Sequence, residues 1–157
     1  MLFRSLLEMR KIYWAVVVGR PDLEQGDIRL PLARRLGKPG EGAERVVVDM
    51  EEGESARTLY RILDTAGRKV ALLELEPLTG RTHQLRVHCQ ALGTPILGDG
   101  KYGGKEAFPS SNGNVRQLHL LSRELHVPKR GGGTAIIQAP VPLHMRQTLE
   151  FFGLSAA

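Results

Sequence analysis

The chain has 157 residues, 41% of them hydrophobic, and a formal net charge of +5 at pH 7. This length provides one core, so we expect a single domain over residues 1–157, with a basic surface that attracts polyanions. A single cysteine excludes an internal disulfide, no Cys/His pair has zinc-ligand spacing, and no run of about 18 apolar residues could cross a membrane. We therefore expect a reduced, metal-free protein of the cytoplasm.

The first third of the chain is predicted to be rich in strands. Residues 1–9 are apolar at helical spacing, but two charged side chains interrupt them, which argues against a signal peptide. Lys11–Val18 is β-branched and aromatic and predicts a buried strand. Asp27–Leu32 and Val46–Met50 predict two more strands. The stretch Ala33–Arg45 is basic and rich in glycine without an apolar period, which predicts an exposed, mobile loop.

The middle of the chain predicts a hairpin followed by a helix. Thr58–Leu63 and Val70–Leu75 flank a polar segment with one glycine, which is a hairpin pattern. A helix is predicted over Thr82–Leu92, with Thr82 as its N-terminal cap and Gly93 as its stop. The side chains expected in the core are Leu72, Leu73, Leu75, Leu85, Cys89 and Leu92.

The last third predicts loops, two strands and a final helix. Residues 95–104 are loop-like, and residues 105–114 are polar and expected to be mobile. Glu124–Val127 and Thr134–Ala139 predict strands, and His144–Phe152 predicts a helix. The order of elements indicates an α+β fold with a largely antiparallel mixed sheet and a few helices.

The densest motif is LTGRTHQLRVH over residues 78–88, followed by GTPILGDGKYG over residues 93–103. Together with KIYWAVVVG and LHLLSRELHVP, these segments resemble the RluA-type pseudouridine synthases over nearly the whole chain. The resemblance implies the catalytic half of a pseudouridine synthase fold. It also implies isomerisation of uridine in ribosomal or transfer RNA, without metal or cofactor.

Two residues are expected to share the active site. By residue type, Arg86 projects about 100° from the apolar stripe of its helix, where it either pairs with a carboxylate beside a cleft or lies in a solvated face. The resemblance implies that Arg86 pairs with the catalytic aspartate. It also implies that Tyr13 stacks near the target base, whereas the alternative for Tyr13 is packing in the core. Trp14 should face the opposite side of the sheet.

A second set of residues is expected to contact RNA. The turn before the predicted helix offers backbone N–H groups and positive charge to a phosphate. His83 and His88 lie about 140° apart on that helix and should not share a metal ion. His83, near the start of the helix, is expected either to contact RNA or to hold the turn by hydrogen bonds. The candidate RNA-binding residues are Arg34, Arg35, Arg81, Thr82, His83, Gln84 and Lys101, with Lys38 and Lys105 as further cations.

The catalytic aspartate of the family lies in an H-R-L-D-x-x-T-S-G motif ahead of the Tyr13 strand, and this motif is absent from the chain. Asp64 follows Arg-Ile-Leu in a similar pattern, but its position fits a hairpin, and Asp99 fits a structural loop. We therefore expect a partial catalytic domain that begins just after the catalytic segment and is inactive alone. The alternatives are a non-catalytic RNA-binding module or pseudoenzyme, and a structural partner of another chain. An exposed core surface would favour a homodimer.

Overall fold

The structure is a computed structural model that describes residues 9–37, 44–109 and 116–156. In these residues eight strands and three α-helices follow one another in a strand-rich order. The strands are β1 (Arg10–Val18), β2 (Gln25–Ile28), β3 (Leu32–Leu36), β4 (Glu44–Val48), β5 (Thr58–Ala66), β6 (Val70–Pro77), β7 (Leu120–Pro128) and β8 (Thr134–Gln138). The helices are α1 (Gln84–Ala91), α2 (Gly100–Gly103) and α3 (Leu143–Phe152), and a 3-10 turn covers Gly104–Ala107.

Six strands form one antiparallel sheet in the order β2-β5-β6-β1-β7-β8. Strand β1 lies inside this sheet between β6 and β7, as expected for a strand whose residues from Ala15 to Val18 are all apolar. A separate two-stranded sheet pairs β3 with β4. The predicted α+β class with a largely antiparallel sheet is confirmed.

The large sheet has a hydrophobic cluster on each face. Helix α1 covers one face, where Leu85 and Cys89 pack with Leu73 and Leu75, and Tyr13 packs against the same cluster. The other face carries a cluster that includes residues of α3, and Trp14 packs there, so adjacent residues of β1 point to opposite sides as predicted. Burying each core leucine contributes about 2 kcal/mol, and these clusters fix the position of α1 over the sheet.

The β5–β6 hairpin confirms the predicted pairing, with a shorter turn than expected. Strand β5 continues to Ala66, and Gly67 has a φ of 56°, in the left-handed region that glycine adopts readily. Asp64 lies in β5 and accepts hydrogen bonds from the backbone N–H groups of Thr65 and Ser155, both at 2.8 Å. Its carboxylate therefore ties the C-terminal segment to this hairpin.

The predicted mobile loop over residues 33–45 is wrong at both of its ends. There the chain forms β3 and β4, which pair antiparallel with Arg34 opposite Val46. Burial of Leu32 and Val46 against Val87 and Tyr102 stabilises this hairpin, a long-range contact that local composition does not reveal. The predicted strand Asp27–Leu32 is also interrupted, since β2 ends at Ile28 and β3 begins at Leu32.

Other predictions differ in extent. The last strands and the last helix are confirmed, with β7 beginning four residues earlier than predicted. The predicted loop over residues 95–104 contains α2. The 3-10 turn Gly104–Ala107 covers the start of the next segment, residues 105–114, which was expected to be mobile. Residues 1–8 of the predicted helical segment, Lys38 and residues 110–115 lie outside the described residues. Among the described helices, none has the length and apolar character needed to cross a bilayer.

Candidate active site

A cleft of about 510 Å³ opens where the end of β6 and the start of α1 approach β1. Tyr13 and Arg86, the two residues predicted to share a site, both line this cleft. The cleft is lined by Met9, Lys11, Tyr13, Leu120, residues 77–81 and residues 83–86. Its volume is within the range of pockets that hold small ligands.

Tyr13 forms part of an apolar floor. It pairs with Leu75 of β6 on one side and with Ser122 of β7 on the other, where the register of β7 shifts. Leu85 and Leu120 lie beside Tyr13 in the lining of the cleft and in the cluster that packs under α1. A planar aromatic ring bordered by aliphatic side chains is suited to contact with the face of a flat heterocycle.

Arg86 forms an ion pair with Asp99. Its Nε donates to Oδ2 at 3.0 Å and its Nη2 donates to Oδ1 at 2.8 Å, so the ion pair is bidentate. The Asp99 side chain is 1% exposed and that of Arg86 is 21% exposed. The hydrogen bond to Asp99 raises the pKa of Arg86, which remains a cation. Asp99 thus occupies two of the guanidinium nitrogens, and Nη1 has no hydrogen-bond partner among the described residues.

Asp99 also caps the short helix α2. Its Oδ1 accepts a hydrogen bond from the Tyr102 N–H at 3.3 Å, which fits the structural loop role predicted for it. Its pairing with Arg86 was not predicted, because the two residues are distant in sequence and the motif carries no sign of their contact. The sequence Gly98-Asp99-Gly100 predicts only a loop.

Tyr102 is a second residue that sequence reasoning missed. Its ring lies near three cationic groups, with the guanidinium of Arg86 at 5.0 Å, that of Arg45 at 5.1 Å and the Lys101 ammonium at 5.8 Å from the ring centroid. The electron-rich face of a tyrosine ring attracts cations at such distances. The ring therefore helps to gather positive charge beside the cleft.

His83 initiates α1 in an unusual backbone conformation. Its φ of 52° and ψ of 21° make it the one non-glycine residue with positive φ among those described. The helix begins at Gln84, so the predicted cap at Thr82 is wrong, and the Thr82 hydroxyl instead accepts a hydrogen bond from Arg34 at 2.5 Å. Burial lowers the pKa of His83, and the positive charges of Arg86 and Lys101 lower it further.

Gln84 has no hydrogen-bonding group left for RNA. Its carbonyl oxygen accepts from the Thr79 hydroxyl and from the Arg81 N–H, and its amide donates to the Arg57 carbonyl and the Thr58 hydroxyl. A glutamine side chain can make only these four hydrogen bonds. Although Gln84 lines the cleft, its hydrogen bonds hold the loop that precedes α1, and the predicted RNA contact finds no support.

His88 lies in the core below α1. Its Nε2–H donates to the Leu30 carbonyl at 2.9 Å, and its Nδ1 lies 2.8 Å from the Thr58 hydroxyl. Burial lowers its pKa, so it is a neutral packing residue at neutral pH. Within the described ranges no group of three or more His, Cys, Asp and Glu side chains is placed to hold a metal ion.

Of the remaining candidate RNA-binding cations, Arg81 lines the cleft, whereas Arg34 and Lys101 line neighbouring hollows, and each cation has a local partner. Arg81 pairs with Glu54 at 2.7 Å, Arg35 pairs with Asp49, and Lys101 donates to the Glu44 carbonyl at 2.7 Å. Lys11, which was not predicted, lines the cleft without an ion-pair partner among the described residues. The two-residue period from Met9 through Lys11 to Tyr13 would have placed it on this face.

Comparisons with known proteins identify the relatives of this chain. The family model described as RNA pseudouridylate synthase matches residues 2–91, which is more than half of the chain. The "Ribosomal large subunit pseudouridine synthase C" of Rickettsia prowazekii is 39% identical over 151 residues, covering 94% of this chain and 46% of the relative. The mitochondrial "RNA pseudouridine synthase 4" of Arabidopsis thaliana is 35% identical over 154 residues, covering 92% of this chain and 32% of the relative.

A solved structure shows the same fold. The protein named "Human RNA Pseudouridylate Synthase Domain Containing 4" matches with a TM-score of 0.74 and 27% identity, covering 98% of this chain and 66% of that one. The chain thus spans about a third to a half of the length of these two curated relatives. On the family match and the shared fold, the chain belongs to the RNA pseudouridylate synthase family.

Proposed function

We propose that this chain takes part in converting uridine to pseudouridine in structured RNA, either ribosomal or transfer RNA, and that its cleft holds the target nucleotide. In this isomerisation the C1′–N1 bond breaks, a C1′–C5 bond forms, C5 loses a proton and N1 gains one. Atoms and electrons balance within the nucleotide, so the reaction consumes no cofactor. The observation that carries the proposal is that Tyr13 and Arg86 line one cleft.

Tyr13 is proposed to contact the target base. Chemistry on a base inside a helix requires the nucleotide to leave the stack, and an aromatic side chain compensates for part of the lost stacking. The apolar floor formed with Leu85 and Leu120 supports this role. The ring of Tyr13 would also lie near C5, where the resemblance implies help with proton removal.

Arg86 is proposed to supply a fixed positive charge in the cleft. Asp99 holds two of its guanidinium nitrogens, so the direction of the group is set before substrate enters. The remaining Nη1 can donate to a carboxylate or to a phosphate of the nucleotide. A positioned guanidinium with one free nitrogen is consistent with the ion pair that the family resemblance implies.

The reacting carboxylate is proposed to come from outside the residues that form this cleft. No Asp or Glu occurs among the described residues that line it. The two aspartates with the most suggestive sequence context, Asp64 and Asp99, are engaged in a hairpin and in the Arg86 ion pair. We therefore propose that the chain alone does not isomerise uridine.

A tritium-release assay tests the proposal. RNA labelled at C5 of uridine should release no tritium with the purified chain. A chimera that places an H-R-L-D-x-x-T-S-G segment ahead of Met1 should release it, and the same chimera with Asn in place of that Asp should not. Turnover by the unmodified chain would contradict the external carboxylate, and an inactive chimera that folds would contradict the enzymatic role.

The alternative is an RNA-binding module without catalysis, which the carboxylate-free cleft wall favours. It predicts RNA affinity that falls with salt, no turnover by the chimera, and loss of binding when Arg34, Arg81 or Lys101 is replaced. The family resemblance favours the enzymatic role over this one. The chimera assay separates the two.

We propose a cytoplasmic location for this chain. Its relatives include bacterial proteins and proteins named as mitochondrial, so imaging of the tagged protein in its own cell tests the proposal.

We also propose a homodimer, which would bury exposed apolar side chains such as Ile136 and Ile137 of the edge strand β8, which are 61% and 60% exposed. Light scattering at several concentrations tests it, and a monomer throughout would count against it.

A further inference from the structure

The His83 imidazole lies between two cavities. It lines the cleft that contains Tyr13 and Arg86, and it also lines a neighbouring hollow of about 480 Å³ that includes Thr82 and Lys101. Its Nδ1 is 2.7 Å from the Tyr102 hydroxyl, while its Nε2 has no hydrogen-bond partner among the described residues. One nitrogen is therefore fixed by the protein, and the other is free at the boundary of the two cavities.

The contact with Tyr102 selects one tautomer of His83. The Tyr102 hydroxyl oxygen already accepts a hydrogen bond from the Val46 N–H at 3.3 Å, so its own proton needs an acceptor. Because Tyr102 is buried, leaving that proton unpaired would cost free energy, and His83 Nδ1 is the acceptor within reach. Nδ1 is then unprotonated, and the proton of the neutral ring is on Nε2.

The surroundings keep this ring neutral. Burial lowers the pKa of His83, and the charges of Arg86, Lys101 and Arg34 lower it further, while Asp99 opposes them without reversing the shift. At neutral pH His83 therefore presents an uncharged N–H donor amid cations. The carboxylate of Glu44 also lines the hollow, but it lies 3.7 Å from Arg34, which offsets its charge.

The backbone of His83 is held in a conformation that costs free energy. A left-handed conformation is uncommon for a side chain larger than glycine or asparagine and persists only where the surrounding structure fixes it. Here the ring packs edge-on against Tyr102, with centroids 5.5 Å apart. The conformation places the imidazole on the boundary between the cavities rather than along the helix.

We propose that His83 is an RNA-binding residue whose Nε2–H donates a hydrogen bond to a backbone phosphate oxygen of the RNA whose base enters the cleft. This inference rests on the proposed function and adds the location of the phosphate. The base then occupies the cleft beside Tyr13, while the phosphate lies at the boundary, where Arg34, Arg86 and Lys101 surround His83 with positive charge. Tyr102 orients the donor through Nδ1.

Nuclear magnetic resonance of the full chain with ¹⁵N-labelled histidine tests the proposal. In the free protein His83 should show protonated Nε2 and unprotonated Nδ1. Titration with uridine 5′-monophosphate should shift the Nε2 resonance, whereas unphosphorylated uridine should leave it unchanged. An equal shift with uridine would overturn the phosphate assignment, as would a free protein with the proton on Nδ1. His126, which forms a partly buried pair with Glu124, supplies an internal reference.

Two variants separate a role of His83 in binding phosphate from a role in folding. His83→Asn retains a residue that tolerates left-handed backbone but lacks the reach of imidazole, and it should weaken the affinity for uridine monophosphate about tenfold. Tyr102→Phe keeps the ring that faces the cations and removes the hydroxyl, so His83 should populate both tautomers and affinity should fall in the same direction. Unchanged affinity in a folded His83→Asn variant would overturn the proposal.

The same titration separates this inference from the proposed function. Perturbation of the Tyr13 ring by the nucleotide without change at His83 would refute the role of His83 and leave the cleft as a nucleotide site. If neither residue is perturbed by about 10 mM nucleotide, which saturates sites with dissociation constants of about 1 mM, the result would count against the proposed function itself.

Discussion

Arg86 and Asp99 meet through two hydrogen bonds, from Nε to Oδ2 at 3.0 Å and from Nη2 to Oδ1 at 2.8 Å. The contact joins α1 to the start of α2 on one side of the cleft. Because the carboxylate of Asp99 is almost fully buried, it depends on Arg86 and on the Tyr102 N–H for compensation of its charge. The wall of the cleft is therefore fixed by opposite charges as well as by apolar packing.

Replacing Asp99 with Asn should destabilise the protein, because Arg86 would lose its counter-ion in a largely buried place. The free energy of unfolding should fall by about 3 kcal/mol, measured by urea denaturation. Asp27→Asn is the matched control, since Asp27 pairs with Arg29 and Arg57 at the surface, and it should shift the midpoint much less. Equal shifts in the two variants would contradict this reading of the pair.

Gln84→Leu should destabilise the protein by about 2 kcal/mol, because it removes four hydrogen bonds and leaves buried partners unpaired. Gln90→Leu, on the exposed side of the same helix, is the control and should have little effect. Thermal unfolding distinguishes them. A folded Gln84→Leu variant of unchanged stability but reduced RNA affinity would favour a direct RNA contact instead.

Tyr13→Leu should weaken binding of uridine-containing RNA about tenfold, because stacking of one base on an aromatic ring contributes about 1–3 kcal/mol. Tyr13→Phe keeps the ring and should bind within about twofold of the unmodified chain. Fluorescence anisotropy with a labelled RNA hairpin measures both affinities. If the two variants lost affinity equally, the hydroxyl rather than the ring would be the important group.

Lys11→Ala should reduce the dependence of RNA affinity on salt. Lys11 is an exposed cation in the cleft lining, and removing one phosphate contact lowers the slope of log K against log salt concentration by about one. Lys69→Ala changes the net charge equally, but Lys69 lies in the turn between β5 and β6 and lines a different cavity. A slope lowered equally by both variants would indicate a general charge effect instead of a phosphate at Lys11.

Stability should fall on acidification because of His119. Burial lowers the pKa of His119 from 6.5 to about 4, and its ring contacts the Gln117 carbonyl and the Thr148 hydroxyl, both at 2.7 Å. Between these values the unfolded chain binds a proton that the folded chain does not, so stability is complete above pH 6.5 and declines toward pH 4. The loss attributable to this residue is about 3 kcal/mol.

Urea denaturation at several pH values checks this dependence. His119→Gln should lower stability at neutral pH and flatten its dependence between pH 6.5 and pH 4. His126→Gln, at the partly buried pair with Glu124, should still lose stability between pH 6.5 and pH 4. An unchanged slope in His119→Gln would show that other groups cause the acid sensitivity.

The elements that follow a regular apolar period could be predicted from sequence. The β-branched run of β1, the two arms of the β5–β6 hairpin and the apolar face of α1 each carry their signal within a few neighbouring residues. The shared cleft of Tyr13 and Arg86 was expected from the family resemblance. Residue types alone favour a surface position for Arg86, and they leave a core position open for Tyr13.

What could not be predicted depends on contacts between distant residues. Most of β3 and the start of β4 lie in a stretch of loop-like composition, and burial of Leu32 and Val46 in a separate cluster stabilises the pair. The Arg86–Asp99 pair joins two elements whose relative position only the folded chain defines. The false cap at Thr82 followed from a general preference, which the left-handed conformation of His83 overrides.

The hydroxyl oxygen of Tyr102 contacts both the β4 backbone at Val46 and the imidazole of His83. A single atom thus couples the outlying hairpin to the mouth of the cleft. RNA that displaces the hairpin would alter the proton position on the imidazole, and a nucleotide seated at the imidazole would restrain the hairpin in return. Recognition of the surrounding RNA and admission of one nucleotide would then be parts of the same binding equilibrium.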